Sequence, residues 1–307
     1  MKKIFTSVWL LIICNCIFAQ GSNISGDWEH NFDSENLQFS TLKIQVYLRD
    51  KKDIAKIDTA SGTSFIFSFT IDSTNRLPLL ITNNHVVKDA FASSIFLTKK
   101  DEKGNPTLGS IDTLTFSSKD IKWTPHPNPN IDLCATPLKP ILNRYSKNRF
   151  GYFYYSISDD DIPTESELAD LKGIEEIYMI GYPIGLWDFK NNLPIIRKGI
   201  TATHPFINFQ NAPIFLIDAA CFPGSSGSPV LIINEGTYTT KTSLRAGRRK
   251  LFMGTLFGGP TFQPDGTIKI IEIPTRKDTT YVQNIPINLG YCIKSNQILL
   301  FRKAFGL

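Results

Sequence analysis

The stretch "DAACFPGSSGSPVLI", residues 218–232, sets Gly224, Ser225, Ser226, Gly227 and Pro229 between two apolar runs. A serine hydroxyl is a weak nucleophile at neutral pH until a neighbouring base takes its proton and hydrogen-bond donors stabilise the oxyanion formed on attack. Without a side chain at Gly224 the backbone can turn sharply, aiming the N–H groups of Gly224 and Ser226 at one point. Gly227 allows close approach on the far side of Ser226. The frame makes Ser226 the candidate nucleophile and Ser225 a packing or hydrogen-bonding position. Taken alone, it reads equally well as a glycine-serine turn between two strands.

A nucleophilic serine requires a base and a carboxylate elsewhere in the chain. Of the four histidines, His85 follows the apolar run of "LLITNNHVVKDA", where a rigid element can fix an imidazole. His30 lies in a polar N-terminal stretch, His126 in a Pro-Asn loop and His204 before a proline, and all three read as surface or loop histidines. Asp132 lies in "NPNIDLCATPL", where a polar loop passes directly into an apolar segment, so its carboxylate can be half-buried and aimed at an imidazole. Asp112, Asp120 and the Asp159–Asp161 run read as solvated loop charges.

Around these blocks the chain reads as mostly β. "TLKIQVYL", "GTSFIFSFTI", "LPLLITNNHVV", "EEIYMIGYP", "APIFLIDAA", "SPVLIIN", "KLFMGTLFGG" and "TIKIIEI" are β-branched or aromatic runs bounded by Gly, Pro, Asn or Asp. A capping box from Thr164 to Glu167 predicts one short helix ahead of "LADLKG", with Gly173 as its stop. At 307 residues and 42% hydrophobic, the chain can bury a full core in two domains or two lobes. The organisation read from the sequence is an N-terminal segment over 20–40, a first lobe over 41–140, a connection over 141–173 and a second lobe with a C-terminal helix over 174–307.

"MKKIFTSVWLLIICNCIFAQ" has two lysines, an apolar run from Ile4 to Phe18 and then Ala19 before a polar stretch. This reads as a secretory signal over residues 1–19, cleaved after Ala19, and predicts an exported protein with no stable membrane span. An uncleaved anchor would need about 20 apolar residues, more than this run supplies. Neither Cys14 nor Cys16 follows a convincing lipobox. Removing Lys2 and Lys3 takes the formal charge from +5 to +3, too small to argue for a nucleic-acid partner. Cys134, Cys221 and Cys292 then remain, too few for a disulfide framework, so the fold must rest on its hydrophobic core. No phosphate loop, dinucleotide fingerprint, metal-spaced cluster or paired-carboxylate signature stands out, and no cofactor or metal is expected.

In the order His85, Asp132, Ser226, the blocks "TNNHVV", "IDL" and "PGSSGSP" resemble the trypsin-like (chymotrypsin-fold) serine peptidases, especially the bacterial branch that includes the HtrA proteases. The resemblance runs from about Thr41 to Leu300. "SGTSFIFS" resembles the strand before the histidine block, and "NLGYCIKSNQIL" the late strand and helix of the HtrA protease domain. It implies two six-stranded-type antiparallel β-barrels with a short connecting helix and a C-terminal helix, His85 and Asp132 coming from the first lobe and Ser226 from the second.

The resemblance further implies an exported serine endopeptidase acting on polypeptides through an acyl-enzyme, with Gly224 and Ser226 as the oxyanion hole. It places Ala220, Cys221, Tyr291 and Cys292 in the substrate pocket, with Phe257, Gly258 and Gly259 as a wall. Ala220 stands where trypsin carries an aspartate, so cleavage after Lys or Arg is not expected; a neutral pocket of modest size would favour small or medium apolar side chains. Ser225 replaces the aspartate that pairs with a new N-terminus in zymogens, which argues against activation by that salt bridge. The resemblance brings Cys221 and Cys292 close together, as free thiols or as a disulfide. The chain ends soon after the helix of "SNQILLFRKAF", leaving no room for a PDZ module. The basic segment over 235–250 reads as a solvated hairpin or as a surface for an acidic partner. Two alternatives stay open: a non-catalytic peptidase-like binding protein, and an esterase using the same triad.

Overall fold

The computed structural model describes residues 33–50, 53, 55–146, 148–262, 268–272 and 285–307. The expected export signal, Cys14, Cys16 and His30 lie outside the described residues. The first sheet contains β1 (Thr41–Arg49), β2 (Ile57–Thr70), β3 (Arg76–Thr82), β4 (Ala92–Lys100), β5 (Pro106–Ser117), β6 (Thr124–Pro125), β7 (Cys134–Pro137), β8 (Tyr152–Phe153) and β9 (Ile157–Ser158). Its strand order is β5-β4-β1-β2-β3-β7-β6, with β8 on β4 and β9 parallel to β2.

The second sheet contains β10 (Glu176–Gly181), β11 (Ile195–Thr201), β12 (Ile214–Asp218), β13 (Pro229–Thr239), β14 (Leu244–Phe262), β15 (Ile268–Glu272), β16 (Ile285–Pro286) and β17 (Leu289–Lys294). Its path β13-β10-β11-β12-β17-β14 returns to its start through the β13–β14 pairing. The barrel expected in each half is therefore a closed ring only in the second. In the first, β5 and β6 do not pair among the described residues; β6 has only two residues, one of them Pro125, which cannot donate to a ladder.

The cores follow from strand alternation. β1 turns Leu42, Ile44, Val46 and Leu48 into the first lobe. β2 is buried on both faces: Ile66 joins that core, whereas Phe65, Phe67 and Phe69 face a second cluster that also holds Ile180, Leu231, Phe252, Ile293 and Phe301. This second cluster draws on both sheets and locks the lobes together, with the Phe65 and Phe252 rings 5.4 Å apart. A third cluster around Ile177, Met179, Phe215, Ile217 and Val230 fills the second lobe.

The helices are short: α1 (Asp33–Leu37), α2 (Asn84–Val87), α3 (Leu138–Tyr145), α4 (Glu165–Asp170) and α5 (Phe301–Ala304). The expected capping box is present at α4, where the Thr164 hydroxyl accepts from the Glu167 N–H and the Glu167 carboxylate accepts from the Thr164 N–H. Arg249 and Glu175 form a buried ion pair at 2.8 Å, and Glu175 also accepts from the Lys172 N–H. Glu175→Ala leaves the guanidinium buried without its partner and is expected to destabilise the protein by about 3 kcal/mol. Urea unfolding should show a lower midpoint with an unchanged m-value.

Candidate active site

His85 sits in α2, a single turn at the end of β3. Val86 and Val87 anchor this turn in the first-lobe core. The residue before it, Asn83, donates from its amide to the Asp132 carbonyl at 2.7 Å. The flanking Ile131 and Leu133 are buried, which fixes Asp132 from both sides. Asp132 then engages His85 twice: Oδ1 accepts the His85 backbone N–H at 2.9 Å, and Oδ2 is hydrogen-bonded to ring atom Nδ1. The side chains are 6% and 19% exposed, so this pair is shielded from bulk water. A carboxylate on Nδ1 holds the proton there and leaves Nε2 as the basic nitrogen.

The loop that carries Ser226 comes from the second lobe and is pressed against the first. The Thr63 N–H of β2 donates to the Ser226 carbonyl at 2.9 Å, and the Thr63 hydroxyl donates to the Gly224 carbonyl at 2.9 Å. Gly227 has φ +88°, and a Cβ there would lie 2.0 Å from the Thr63 carbonyl and 2.7 Å from the Thr82 hydroxyl. Thr82 is three positions before His85, so the loop bearing Ser226 abuts the strand that leads to the imidazole. Gly224 has φ +86°, and a Cβ there would lie 2.6 Å from the Tyr182 carbonyl. Only glycine suits either place. Among the described residues, no acceptor is recorded for the N–H groups of Gly224 and Ser226.

Ser226 is 0% exposed, and its Oγ and the His85 Nε2 are both buried without hydrogen-bond partners among the described residues. His85 and Asp132 are thus brought into contact, whereas the serine–imidazole hydrogen bond is not formed. Such bonds are often long or misaligned without substrate and tighten in the complex.

Around the expected pocket, Ala220 and Cys221 precede the loop that carries Ser226. Cys221 packs against Gly290 of β17, where a Cβ would lie 2.6 Å from its Sγ. Phe257 forms a bulge in the β14–β17 pairing, its ring 6.1 Å from that of Tyr291. Gly258 pairs with Tyr291, and Cys292 pairs with Leu256. A Cβ on Gly259 would lie 2.5 Å from the Leu289 carbonyl, so backbone closes that side.

Arg197 of β11 was not among the expected site residues. Its Nη1 donates to the Ala220 carbonyl at 2.5 Å and to the Ser225 hydroxyl at 2.9 Å, and burial lowers the guanidinium to about 10. Arg197 thus places a guanidinium against the Ala220 carbonyl. On β11, Ile196, Lys198 and Ile200 are exposed and Arg197 takes the opposite face.

Cys134, Cys221 and Cys292 are free and buried. Burial pushes the Cys221 thiol up to about 12 and the Cys292 thiol well above its ordinary value. These thiols are expected to resist iodoacetamide at pH 8 in the folded protein and to react after denaturation, as counted by intact mass. Among the described residues, no group of three or more His, Cys, Asp or Glu is placed to hold a metal ion.

The other two described histidines stand apart from this pair. His126 is buried between the carbonyls of Asn128 and Gln297, and the His204 Nδ1 accepts from the Phe206 N–H. The basic segment forms the β13–β14 hairpin and is tied down by acids. Arg245 pairs with Asp170, Arg249 with Glu175, and Lys250 with Asp33 and Asp161.

Residues 62–237 match the family described as trypsin-like peptidase domain. No curated protein matches the chain. Among solved structures, an HtrA-type protease with a decapeptide shares 11% identity, with 89% of this chain and 67% of that one covered, at TM-score 0.45. The Rv3671c protease from M. tuberculosis, in its active form, shares 13% identity over 89% of this chain and 83% of that one, at TM-score 0.43. The MamO protease domain from Magnetospirillum magneticum shares 10% identity over 87% of this chain and 97% of that one, at TM-score 0.39.

Proposed function

The chain belongs to the trypsin-like peptidase domain family, and from that premise we propose that it is a serine endopeptidase whose triad is His85, Asp132 and Ser226. The observation that carries this reading is the double engagement of His85 by Asp132, through its backbone N–H and through Nδ1. Nε2 accepts the Ser226 proton as Oγ attacks a peptide carbonyl, and Asp132 stabilises the imidazolium that forms. The N–H groups of Gly224 and Ser226 receive the oxyanion. His85 then returns the proton to the leaving amine, and water, deprotonated by the same imidazole, releases the acyl group from Ser226.

The polypeptide substrate is reached outside the cell if the N-terminal segment acts as the export signal that its sequence resembles. Among the described residues, no helix is long and apolar enough to cross a membrane. One observation favours the alternative of a non-catalytic binding protein: the Ser226 side chain is fully covered. Incubation with an unfolded reporter protein, with new chain ends mapped by mass spectrometry, separates the two. Cleavage at defined sites supports the peptidase. An intact reporter held in a stable complex supports the binding protein.

A further inference from the structure

Ile184 has φ +53°, although its side chain is β-branched and exposed. A β-branched residue is an outlier in the left-handed region and stays there only where its surroundings leave no other choice. Its N–H donates to the Pro223 carbonyl at 2.5 Å. Pro223 directly precedes Gly224, and in a planar trans peptide the C=O and the following N–H point in opposite directions. With the Pro223 carbonyl held toward Ile184, the Gly224 N–H is turned away from that turn. The Ser226 N–H is directed in the same manner from within its own loop, where the Ser228 N–H donates to the Ser225 carbonyl at 3.0 Å. The Gly224 donor, by contrast, takes its orientation from a distant segment of the chain.

That segment, the turn over 182–187, is fastened to the first lobe. The Tyr182 hydroxyl donates to the Thr41 carbonyl at 2.9 Å, and the Tyr182 N–H donates to the Thr63 hydroxyl at 3.1 Å. Lys43 lies opposite Thr63 in the β1–β2 pairing, so both side chains stand on one face, against the turn. The Lys43 ammonium donates to the Gly185 carbonyl at 3.3 Å and sits 4.7 Å from the centroid of the Trp187 ring.

From these contacts we infer that Lys43 is a positioning residue of the oxyanion hole: it holds the 182–187 turn, whose Ile184 N–H fixes the Pro223–Gly224 peptide and so aims the Gly224 N–H. The inference rests on the peptidase reading above. Without the ammonium, the Gly185 carbonyl loses its donor and Ile184 can relax out of the left-handed region. Its N–H then leaves Pro223, and the peptide before Gly224 is free to rotate.

The test uses the full chain and the variant Lys43→Met, which keeps an unbranched stem and removes the charge. On a peptide that wild type cleaves, kcat is expected to fall about tenfold with KM unchanged, less than the roughly 10²–10³-fold lost when an oxyanion donor is deleted outright. Affinity for the matching peptide aldehyde, whose hemiacetal oxygen occupies the hole, should fall by the same factor, whereas affinity for the product peptide stays the same. Lys43→Arg keeps a cation over Trp187 and should restore most of kcat. If Lys43→Met does not fold, Trp187→Leu, which removes the ring beside the ammonium, should show the same loss confined to kcat. Unchanged kcat, or equal losses in aldehyde and product binding, would overturn the inference.

Crystal structures of wild type and of the same variant separate this inference from the peptidase reading if wild type cleaves nothing. A Pro223–Gly224 peptide that is turned over in the variant supports the positioning role, in which case the peptidase reading alone has failed. The same peptide orientation in both proteins rejects Lys43 as its support.

Discussion

Ser226→Ala is expected to lower kcat/KM on any peptide that the wild-type protein cleaves by about 10⁶-fold, without loss of stability. The catalytic effect is large because in the proposed mechanism the hydroxyl is the attacking group, and His85 and the oxyanion amides do not act at full strength without it. The stability expectation comes from a different fact: the Ser226 Oγ is buried and makes no hydrogen bond among the described residues. Removing an unsatisfied buried hydroxyl leaves no stranded partner behind, so its desolvation cost is relieved. Thermal unfolding should therefore show a midpoint equal to or above that of wild type. A lower midpoint would mean that Oγ holds the loop through an interaction absent from this structure.

The second large effect belongs to Asp132→Asn, expected to reduce kcat by about 10⁴-fold with little change in KM. Asparagine keeps the shape of the side chain but offers only one acceptor oxygen. Two donors converge on Asp132, the His85 backbone N–H and the Nδ1 position. If the amide oxygen accepts from the backbone, the amide nitrogen faces Nδ1 and donates to it. The ring proton then moves to Nε2, and the imidazole can no longer take a proton from Ser226. Steady-state kinetics on one peptide read this as loss of kcat. A loss confined to KM would assign Asp132 a binding role.

Much of this arrangement was legible because the chemistry demands local patterns. A glycine at each side of Ser226 follows from positive φ and from the close approach of Thr63 and Tyr182, and the conformational requirement can be read from the residue type. His85 after an apolar strand and Asp132 before another were also readable, since each needs rigid backbone behind it. Each of the eight runs named from the sequence overlaps an observed strand, although "LPLLITNNHVV" passes from β3 into the α2 turn that carries His85, whereas β4, β5 and β11 were not singled out. In β4 and β5 the apolar residues are interleaved with Ser, Thr and Lys, which a reading by hydrophobic runs passes over.

Arg197 shows a different limit. An arginine beside a lysine, here Arg197 and Lys198, reads as a solvated charge, because nothing local reveals that its face of β11 turns beneath a loop more than twenty positions later. Ring closure in the second lobe is likewise a long-range property: the β13–β14 pairing seals it, but each strand would look the same in an open sheet. The missing bond between Ser226 and His85 depends on atomic placement across two lobes, which no motif encodes.

The most direct test of the account is treatment of the purified protein with a fluorophosphonate probe, in parallel with His85→Ala, and location of the adduct by peptide mass spectrometry. The account predicts a single phosphonyl adduct on Ser226 in wild type and none in His85→Ala. A folded wild-type protein that takes no adduct, or takes it on another residue, would contradict the assignment of Ser226 as a nucleophile activated by His85.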